Sequence, residues 1–184
     1  MNNYLVLFHI NEINRYFLNI FSHLEKKMHY IYSYSIIYIL NLQVLRCLIM
    51  DKKVIITNKI DIIKNELIEL GNKIHENPEL SFNEYNAVEN ITTMLEKHGF
   101  NIKKGIGGLE TSFRAEYNTK RNGPTIAFLA EYDALPKIGH GCGHNLIATM
   151  AVGAAIGLKE VSKDIYVNIV VIGTRSEEDG GGKV

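Results

Sequence analysis

The chain has 184 residues, of which 46% are hydrophobic and 22% charged, and its 20 basic and 20 acidic side chains cancel. These proportions predict one ordinary globular domain and argue against a disordered chain, and the balanced charge, with no basic stripe interleaved with aromatic residues, argues against nucleic acid as a partner. Its two cysteines, Cys47 and Cys142, are too few for a secreted disulfide framework, so we expect a cytoplasmic protein.

The first 49 residues differ in character from the rest, because they are crowded with Ile, Tyr, Asn and Leu and show no sustained period. Residues 30–45 are uncharged, but they contain four polar side chains and stop at Arg46, short of the ~20 apolar residues of a membrane span, so a membrane partner is not expected. A polar segment starts at Met50. Our hypothesis is that residues 1–49 are an unassigned extension of the reading frame and that the folded part is 50–184.

The first amphipathic segment follows this start. Apolar residues recur three and four positions apart from Ile60 to Ile74, which predicts one buried helix face. Thr57 or Asn58 is the expected N-cap, and Pro78 is expected to end the helix.

A second helix is predicted over residues 84–98. Ser81 or Asn83 is its expected N-cap, and Gly99 is its expected stop. Its predicted buried side consists of Tyr85, Val88, Ile91 and Leu95.

Two strands are predicted next. Residues 111–117 alternate between apolar and polar side chains, which indicates a strand with one covered face. Residues 125–130 are apolar after an initial threonine, which is typical of a buried strand. The polar link 118–124 predicts that the two strands form a hairpin.

The second of these strands runs directly into a polar loop and then into a helix. Residues 145–159 predict a buried helix, in which Gly153 and Gly157 permit close packing against a sheet. Between strand and helix, glycines at 139, 141 and 143 allow tight turns, and the loop carries five chemically active side chains: Glu131, Asp133, His140, Cys142 and His144.

Residues 166–173 predict a further central strand, which ends shortly before the Glu177–Glu178 pair. Strand, helix and strand form a βαβ unit, so the strands at 125–130 and 166–173 should be parallel and their following loops should emerge at one sheet edge. Ligands bind at that edge in open α/β sheets. We therefore expect the glutamate pair to converge with three donors of the central loop: Asp133, Cys142 and His144.

Such a group of donors suits a borderline divalent metal, with zinc first and manganese or cobalt as alternatives. Adjacent residues in extended backbone face apart, so one glutamate of the pair can bind metal while the other accepts a proton from water. The competing interpretation is a nucleophilic Cys142 paired with His144 or His140, but it gives the glutamates no role. Taken singly, these patterns also fit a buried cysteine beside a capping histidine and a solvated acidic turn.

Three ordered segments carry a more specific resemblance. IHENPELSFNE at 74–84, AEYDALPKIGHGCGHN at 130–145 and IGTRSEEDGGGK at 172–183 resemble three successive signatures of the M20 metallopeptidase and amidohydrolase family, in its aminoacylase-like branch. The resemblance covers residues 59–184. We refer to these segments below as the first, second and third motifs.

The resemblance implies an α/β fold, namely the N-terminal portion of a zinc-peptidase-like catalytic domain with a central mixed sheet flanked by helices. It also implies a hydrolase of small amide or peptide bonds, of the amidohydrolase or dipeptidase type, with two divalent ions in the complete site. Carried onto this chain, the family pattern makes Glu177 the general base and Asp133 a support for the metal site, with three metal ligands: Cys142, His144 and Glu178.

Three further positions bear on this resemblance. With asparagine at position 145, after Cys-Gly-His, the chain resembles the subgroup that acts on aminobenzoyl-glutamate and small dipeptides. Arg175 stands where family members usually have proline, and Asp179 where they often have glycine. Two charges of opposite sign therefore flank Glu177, and they are expected to alter its pKa.

The family pattern continues beyond the part that this chain resembles. It implies the rest of the catalytic domain, further histidine ligands, and a lid or dimerisation domain that is absent from residues 50–184. We therefore expect a homodimer and a small amide or dipeptide-like substrate for the complete protein, and no activity from this part alone. The alternative is a non-catalytic metal-binding remnant of a split or truncated gene, which the DNA downstream of Val184 would distinguish.

Overall fold

The structure is a computed structural model, and it describes residues 30–178. By its internal contacts the chain separates into two units, Met1–Leu48 and Ile49–Val184. Residues 1–29 of the predicted extension and residues 179–184, which include Asp179 and the glycine run, lie outside the described residues.

Four α-helices are described, and we number them in chain order. Within the described residues, none has an apolar run long enough to cross a membrane. The helices are α1 (Tyr30–Ile62), α2 (Lys64–Glu76), α3 (Tyr85–Lys97) and α4 (His144–Ser162).

The predicted start of the first amphipathic helix is wrong, whereas its predicted end is confirmed. Thr57 and Asn58 lie inside α1, where the Thr57 hydroxyl donates to backbone carbonyls three and four residues earlier in the same helix. A hydroxyl satisfied in this way does not start a helix. The chain turns instead at Ile63, and α2 ends before Asn77 and Pro78.

The predicted caps of α3 are also wrong. Neither the Ser81 nor the Asn83 side chain bonds to the first-turn amides of α3; the carboxylate of Glu79 does, accepting from the backbone N–H groups of Asn86 and Ala87 at 2.9 Å each. An acidic side chain is favourable there because the first-turn N–H groups lack helical partners.

The remaining predictions for α3 have a mixed outcome. Gly99 adopts a left-handed φ of 81° after the helix, as expected of a stop. Val88, Ile91 and Leu95 are buried, but Tyr85 is exposed and its hydroxyl donates to the carboxylate of Glu110.

The sheet has four strands in the order β1-β2-β4-β3. Strands β1 and β2 pair antiparallel, β2 and β4 pair antiparallel, and β3 and β4 pair parallel. A 3₁₀ turn at Ile106–Gly108 lies in the β1–β2 connection. The strands are β1 (Asn101–Lys104), β2 (Phe113–Tyr117), β3 (Thr125–Glu131) and β4 (Asn168–Thr174).

The predicted hairpin between the strands at 111–117 and 125–130 is wrong, because β4 lies between β2 and β3. The hairpin partner of β2 is β1, a strand that the sequence did not reveal. The predicted parallel pairing of the two strands that flank α4 is confirmed.

Strand β3 differs from its prediction in burial. Ile126 and Leu129 are exposed, and Ala130 is fully buried, so an apolar run does not make β3 an interior strand. Of the two strands that flank α4, the interior one is β4, whose Ile169 and Val171 have no exposed surface. Within the described residues β3 pairs on one side only, which leaves much of it uncovered.

Helix α4 is buried as predicted, but its glycines serve a different contact. A Cβ atom at Gly153 would lie 3.1 Å from a methyl carbon of Leu67, and one at Gly157 would lie 3.1 Å from a methyl carbon of Ile56. These glycines therefore admit the side chains of neighbouring helices, not the sheet. Close packing of α4 fixes its N-terminus, where His144 lies, relative to the sheet.

Candidate metal centre

Strands β3 and β4 bring two loops to the same edge of the sheet. They pair in parallel up to Glu131 and Thr174, which face each other at the carboxyl ends. The second motif continues from β3 into α4, and the third motif continues from β4. The convergence expected from the βαβ connection is present in the structure.

His144 is the first residue of α4 and is almost completely buried. Its Nδ1 atom lies 2.9 Å from both the backbone oxygen and the carboxylate Oδ1 of Asp133. Because both of these atoms are acceptors, the Nδ1 atom carries a proton and donates a hydrogen bond to Asp133. The lone pair of the neutral ring is then on Nε2, on the side of the imidazole away from Asp133.

Three carboxylates surround that Nε2 atom. The nearest oxygens are those of Glu131 at 3.5 Å, Glu178 at 3.6 Å and Glu177 at 3.9 Å. One donor atom each from His144, Glu177 and Glu178 lies within 4.8 Å of the others. We call these three residues the donor group. So much negative charge around one nitrogen favours a cation between the side chains.

Asp133 connects the two loops. Its carboxylate is buried; Oδ1 accepts from His144, and Oδ2 accepts from the Ser81 hydroxyl at 3.1 Å and the Glu178 backbone N–H at 3.0 Å. Burial by itself would raise the pKa of Asp133, but the amides of Glu178 and Glu177, with the other two partners, hold this pKa below its usual value. The ionised form is thus favoured, and it orients His144.

Cys142 is exposed and approaches the donor group from the β3 loop. The carboxylate of Glu178 accepts a hydrogen bond from its thiol, and this bond raises the pKa of Cys142, with slight desolvation and the charge of Glu177 acting in the same direction. A nucleophilic cysteine requires a lowered pKa. The arrangement therefore disfavours the alternative in which Cys142 attacks a substrate.

The structure brings all five predicted site residues to one edge of the sheet, with Cys142 joined through Glu178. Two other predicted residues lie apart from the donor group. His140 is buried, and its ring lies 6.2 Å from that of His75. The side chain of Asn145 donates to the backbone oxygen of Gly71 in α2.

The sequence patterns assigned no role at this edge to three residues that take part in it: Ser81, Glu84 and Glu131. Glu131 was visible as an acidic residue at the end of a strand. Ser81 and Glu84 belong to the first motif, but they were interpreted as a helix cap and a helix start. Their partners lie 52 and 92 residues away in the chain, which no local pattern reveals.

No family model matches the chain. It is 41% identical to a Xaa-Arg dipeptidase of Mus musculus over 138 residues, which are 68% of this chain and 32% of that protein. It is 31% identical to a component of the p-aminobenzoyl-glutamate hydrolase of Escherichia coli, over 70% of this chain and 30% of that protein. Among solved structures it resembles a Bacillus subtilis protein described as a dinuclear metal-binding peptidase of the M20 family.

This chain is a relative of the M20 family. The likeness to the Bacillus structure has a TM-score of 0.58 and 29% identity, and it covers 64% of this chain and 36% of that one. The mixed four-stranded sheet with flanking helices is that of the M20 catalytic domain, as the motifs implied. The chain spans about a third of the length of the curated relatives it matches.

Proposed function

We propose that this M20 relative forms the metal-binding part of a metal-dependent hydrolase that cleaves small amide or peptide bonds. The observation that carries the proposal is the donor group, in which two carboxylates face the Nε2 atom of a histidine. An imidazole nitrogen with carboxylate oxygens is a suitable ligand set for zinc, and also for manganese or cobalt. We propose two such ions in the complete site, in line with the dinuclear relative.

In this proposal His144, Glu178 and Cys142 hold metal, and Asp133 orients His144. A bound divalent ion would supply Lewis acidity toward a carbonyl oxygen and would lower the pKa of water toward neutrality. The hydrogen bond from Nδ1 to Asp133 keeps the imidazole in the tautomer whose Nε2 lone pair can bind a metal ion.

Glu177 is the proposed general base. Its side chain is 36% exposed, whereas that of Glu178 is 22% exposed and lies closer to Nε2. The more exposed carboxylate is better placed to accept a proton from water beside a substrate, and the closer one is better placed to bind metal. These differences support the division of roles that the family pattern implies.

The named relatives act on dipeptides or on p-aminobenzoyl-glutamate, and we propose a substrate of the same kind, a small molecule with one scissile amide bond. A homodimeric complete protein and a cytoplasmic location are part of the same proposal.

Metal analysis tests the site directly. The chain would be loaded with zinc, passed through gel filtration and assayed for bound metal, beside Cys142→Ala and His144→Ala. We expect stoichiometric metal in the unaltered chain and a sharp fall in both variants, since each loses a donor. Cys47→Ala is the matched control and should keep its metal. Unchanged metal content in both site variants would contradict the proposed ligands.

A further inference from the structure

The first motif contributes no residue to the donor group, yet it contacts both of the motifs that do. The backbone oxygen of Glu79 accepts from the amide of Ala134, at 2.8 Å, and the Ser81 hydroxyl donates to Asp133. Toward the third motif, the guanidinium of Arg175 lies 4.2 Å from the ring centre of Phe82. This segment therefore lies against both loops of the candidate metal centre.

Glu84, the last residue of the first motif, makes the innermost of these contacts. It has no exposed surface. Its Oε1 atom accepts from the backbone N–H groups of Phe82 at 2.9 Å and Ser176 at 3.0 Å, and its Oε2 atom accepts from the Thr111 hydroxyl at 2.6 Å. All three partners are donors, which suits an ionised carboxylate, because that group can only accept.

A buried carboxylate is costly unless its environment is fixed. Holding a helix N-terminus does not require Glu84, because Glu79 already accepts from the first-turn amides of α3. The contact of Glu84 that reaches furthest along the chain is the one to Ser176, 92 residues away, in the loop after β4.

Ser176 has an unusual backbone. It is fully buried and adopts a φ of 51°, a left-handed conformation that costs free energy for a residue other than glycine. Glu177 and Glu178 follow it immediately. The conformation of Ser176 therefore sets the direction in which both glutamates leave the sheet, and the hydrogen bond to Glu84 stabilises that conformation.

We propose that Glu84 is a positioning residue, which holds the Ser176 amide and thereby aims the Glu177–Glu178 pair at His144. The hydrogen-bond partners of its carboxylate among the described residues are Phe82, Thr111 and Ser176, so it acts on the candidate metal centre through the backbone of Ser176. The proposal rests on the proposed function only where metal binding is the quantity measured. The position of the loop itself is a separate observable.

The test compares Glu84→Gln with Glu79→Gln. Both changes remove a charged acceptor of the first motif at nearly constant size, but Glu79 accepts from the start of α3 and Glu84 accepts from the third motif. In Glu84→Gln the NH₂ group can face the Thr111 hydroxyl, which also accepts, so the carboxamide oxygen keeps the Phe82 and Ser176 amides but without the negative charge that strengthens both hydrogen bonds. Glu79→Gln is thus the matched control for a general loss of stability.

Two measurements follow. In metal-free protein, amide hydrogen exchange at Ser176 should be faster in Glu84→Gln than in the unaltered chain and unchanged in Glu79→Gln. In a titration with Co²⁺, followed by its visible absorption, Glu84→Gln should bind about 10- to 100-fold more weakly, the usual effect of losing an outer support of a metal site. Glu79→Gln should lower the melting temperature but keep its Co²⁺ affinity.

Several outcomes would overturn the proposal. Equal weakening of Co²⁺ binding in both variants would mean that Glu84 contributes only to stability. Unchanged exchange at Ser176 in Glu84→Gln would mean that Glu84 does not hold the Ser176 amide. If Glu84→Gln does not fold, the unaltered chain still decides, because a Ser176 amide without protection there contradicts the hydrogen bond. If the unaltered chain binds no Co²⁺, the proposed metal function fails, and the exchange measurement alone judges Glu84.

Discussion

The two loops at the candidate metal centre, one after β3 and one after β4, are held in different ways. The loop after β3 closes on itself through backbone hydrogen bonds, in which Leu135 and Gly139 each donate to the other and Gly143 donates to His140. The loop after β4 is held by side chains from elsewhere: Glu84 accepts from Ser176, and Asp133 accepts from Glu178. The first loop has its own backbone bonds beside its contacts with Glu79 and Ser81, whereas the second depends on the acceptors Glu84 and Asp133 outside it.

This difference bears on chemistry, because each loop supplies a different part of the site. The loop after β3 leads to His144, which is buried and fixed by two contacts with Asp133. The loop after β4 supplies Glu177 and Glu178, which are partly exposed. We infer that substitutions of distant acceptors disturb the two glutamates more than they disturb the histidine.

The largest expected effect separates the two glutamates of the second loop. In a catalytically competent form of the protein, Glu177→Gln should keep its metal but slow hydrolysis of a dipeptide by roughly 100-fold or more, the scale of a lost general base. Glu178→Gln should lose metal, because a carboxamide is a poorer ligand. Turnover and bound metal would be measured for each variant.

Each variant serves as the control for the other, since they are neighbours and carry the same change. A metal-free Glu177→Gln beside a metal-replete but slow Glu178→Gln would reverse the two roles. Near-normal turnover in both would mean that the pair is a solvated acidic turn.

The next effect concerns the strands that carry the loops. A Cβ atom at Gly173 in β4 would lie 2.2 Å from ring carbons of Phe113 and 2.8 Å from the Tyr132 hydroxyl, and both rings are fully buried. Gly173→Ala should therefore destabilise the fold by about 1–3 kcal/mol, as overpacking does. Ala127→Val, in the exposed part of β3, is the control and should change stability by less than about 0.5 kcal/mol.

Urea denaturation of both variants measures this difference. An unchanged midpoint for Gly173→Ala would show that β4 has room for the added methyl group. The contrast between a filled central strand and an exposed neighbouring strand would then disappear.

Sequence patterns predicted the features of the fold that depend on nearby residues. Pro78 and Gly99 end their helices as expected, because each acts on its own backbone. The parallel pairing of β3 and β4 also followed, since a single crossover helix permits little else. These features were enough to bring the second and third motifs together.

Features that depend on distant partners were not predictable. Adjacent strands with a short polar link favour a hairpin, but β4 inserts between β2 and β3 and buries both of its own faces. Serine is a favoured N-cap residue, but the hydroxyl of Ser81 donates to Asp133 instead. Both outcomes are decided by tertiary contacts, which override local preference.

The smallest expected effect uses Cys142 as a reporter that links the two loops. Its thiol lies in the loop after β3, and the Glu178 carboxylate that raises its pKa lies in the loop after β4. Alkylation requires the thiolate. In metal-free protein the reaction with iodoacetamide should therefore reach half its limiting rate at a pH above the usual pKa of a cysteine thiol. Glu178→Gln removes the nearby charge, lowers this pKa and should speed alkylation at pH 8 several-fold.

The rates would be read by mass spectrometry in a Cys47→Ser background, so that one thiol reacts. Glu177→Gln is the matched control and should change the rate less, because the thiol donates its hydrogen bond to Glu178, whereas Glu177 acts only through its charge. Equal rates in the unaltered chain and in Glu178→Gln would place Glu178 away from Cys142. The loop after β4 would then not reach the donors of the loop after β3, and the acceptors Glu84 and Asp133 would not hold it as described.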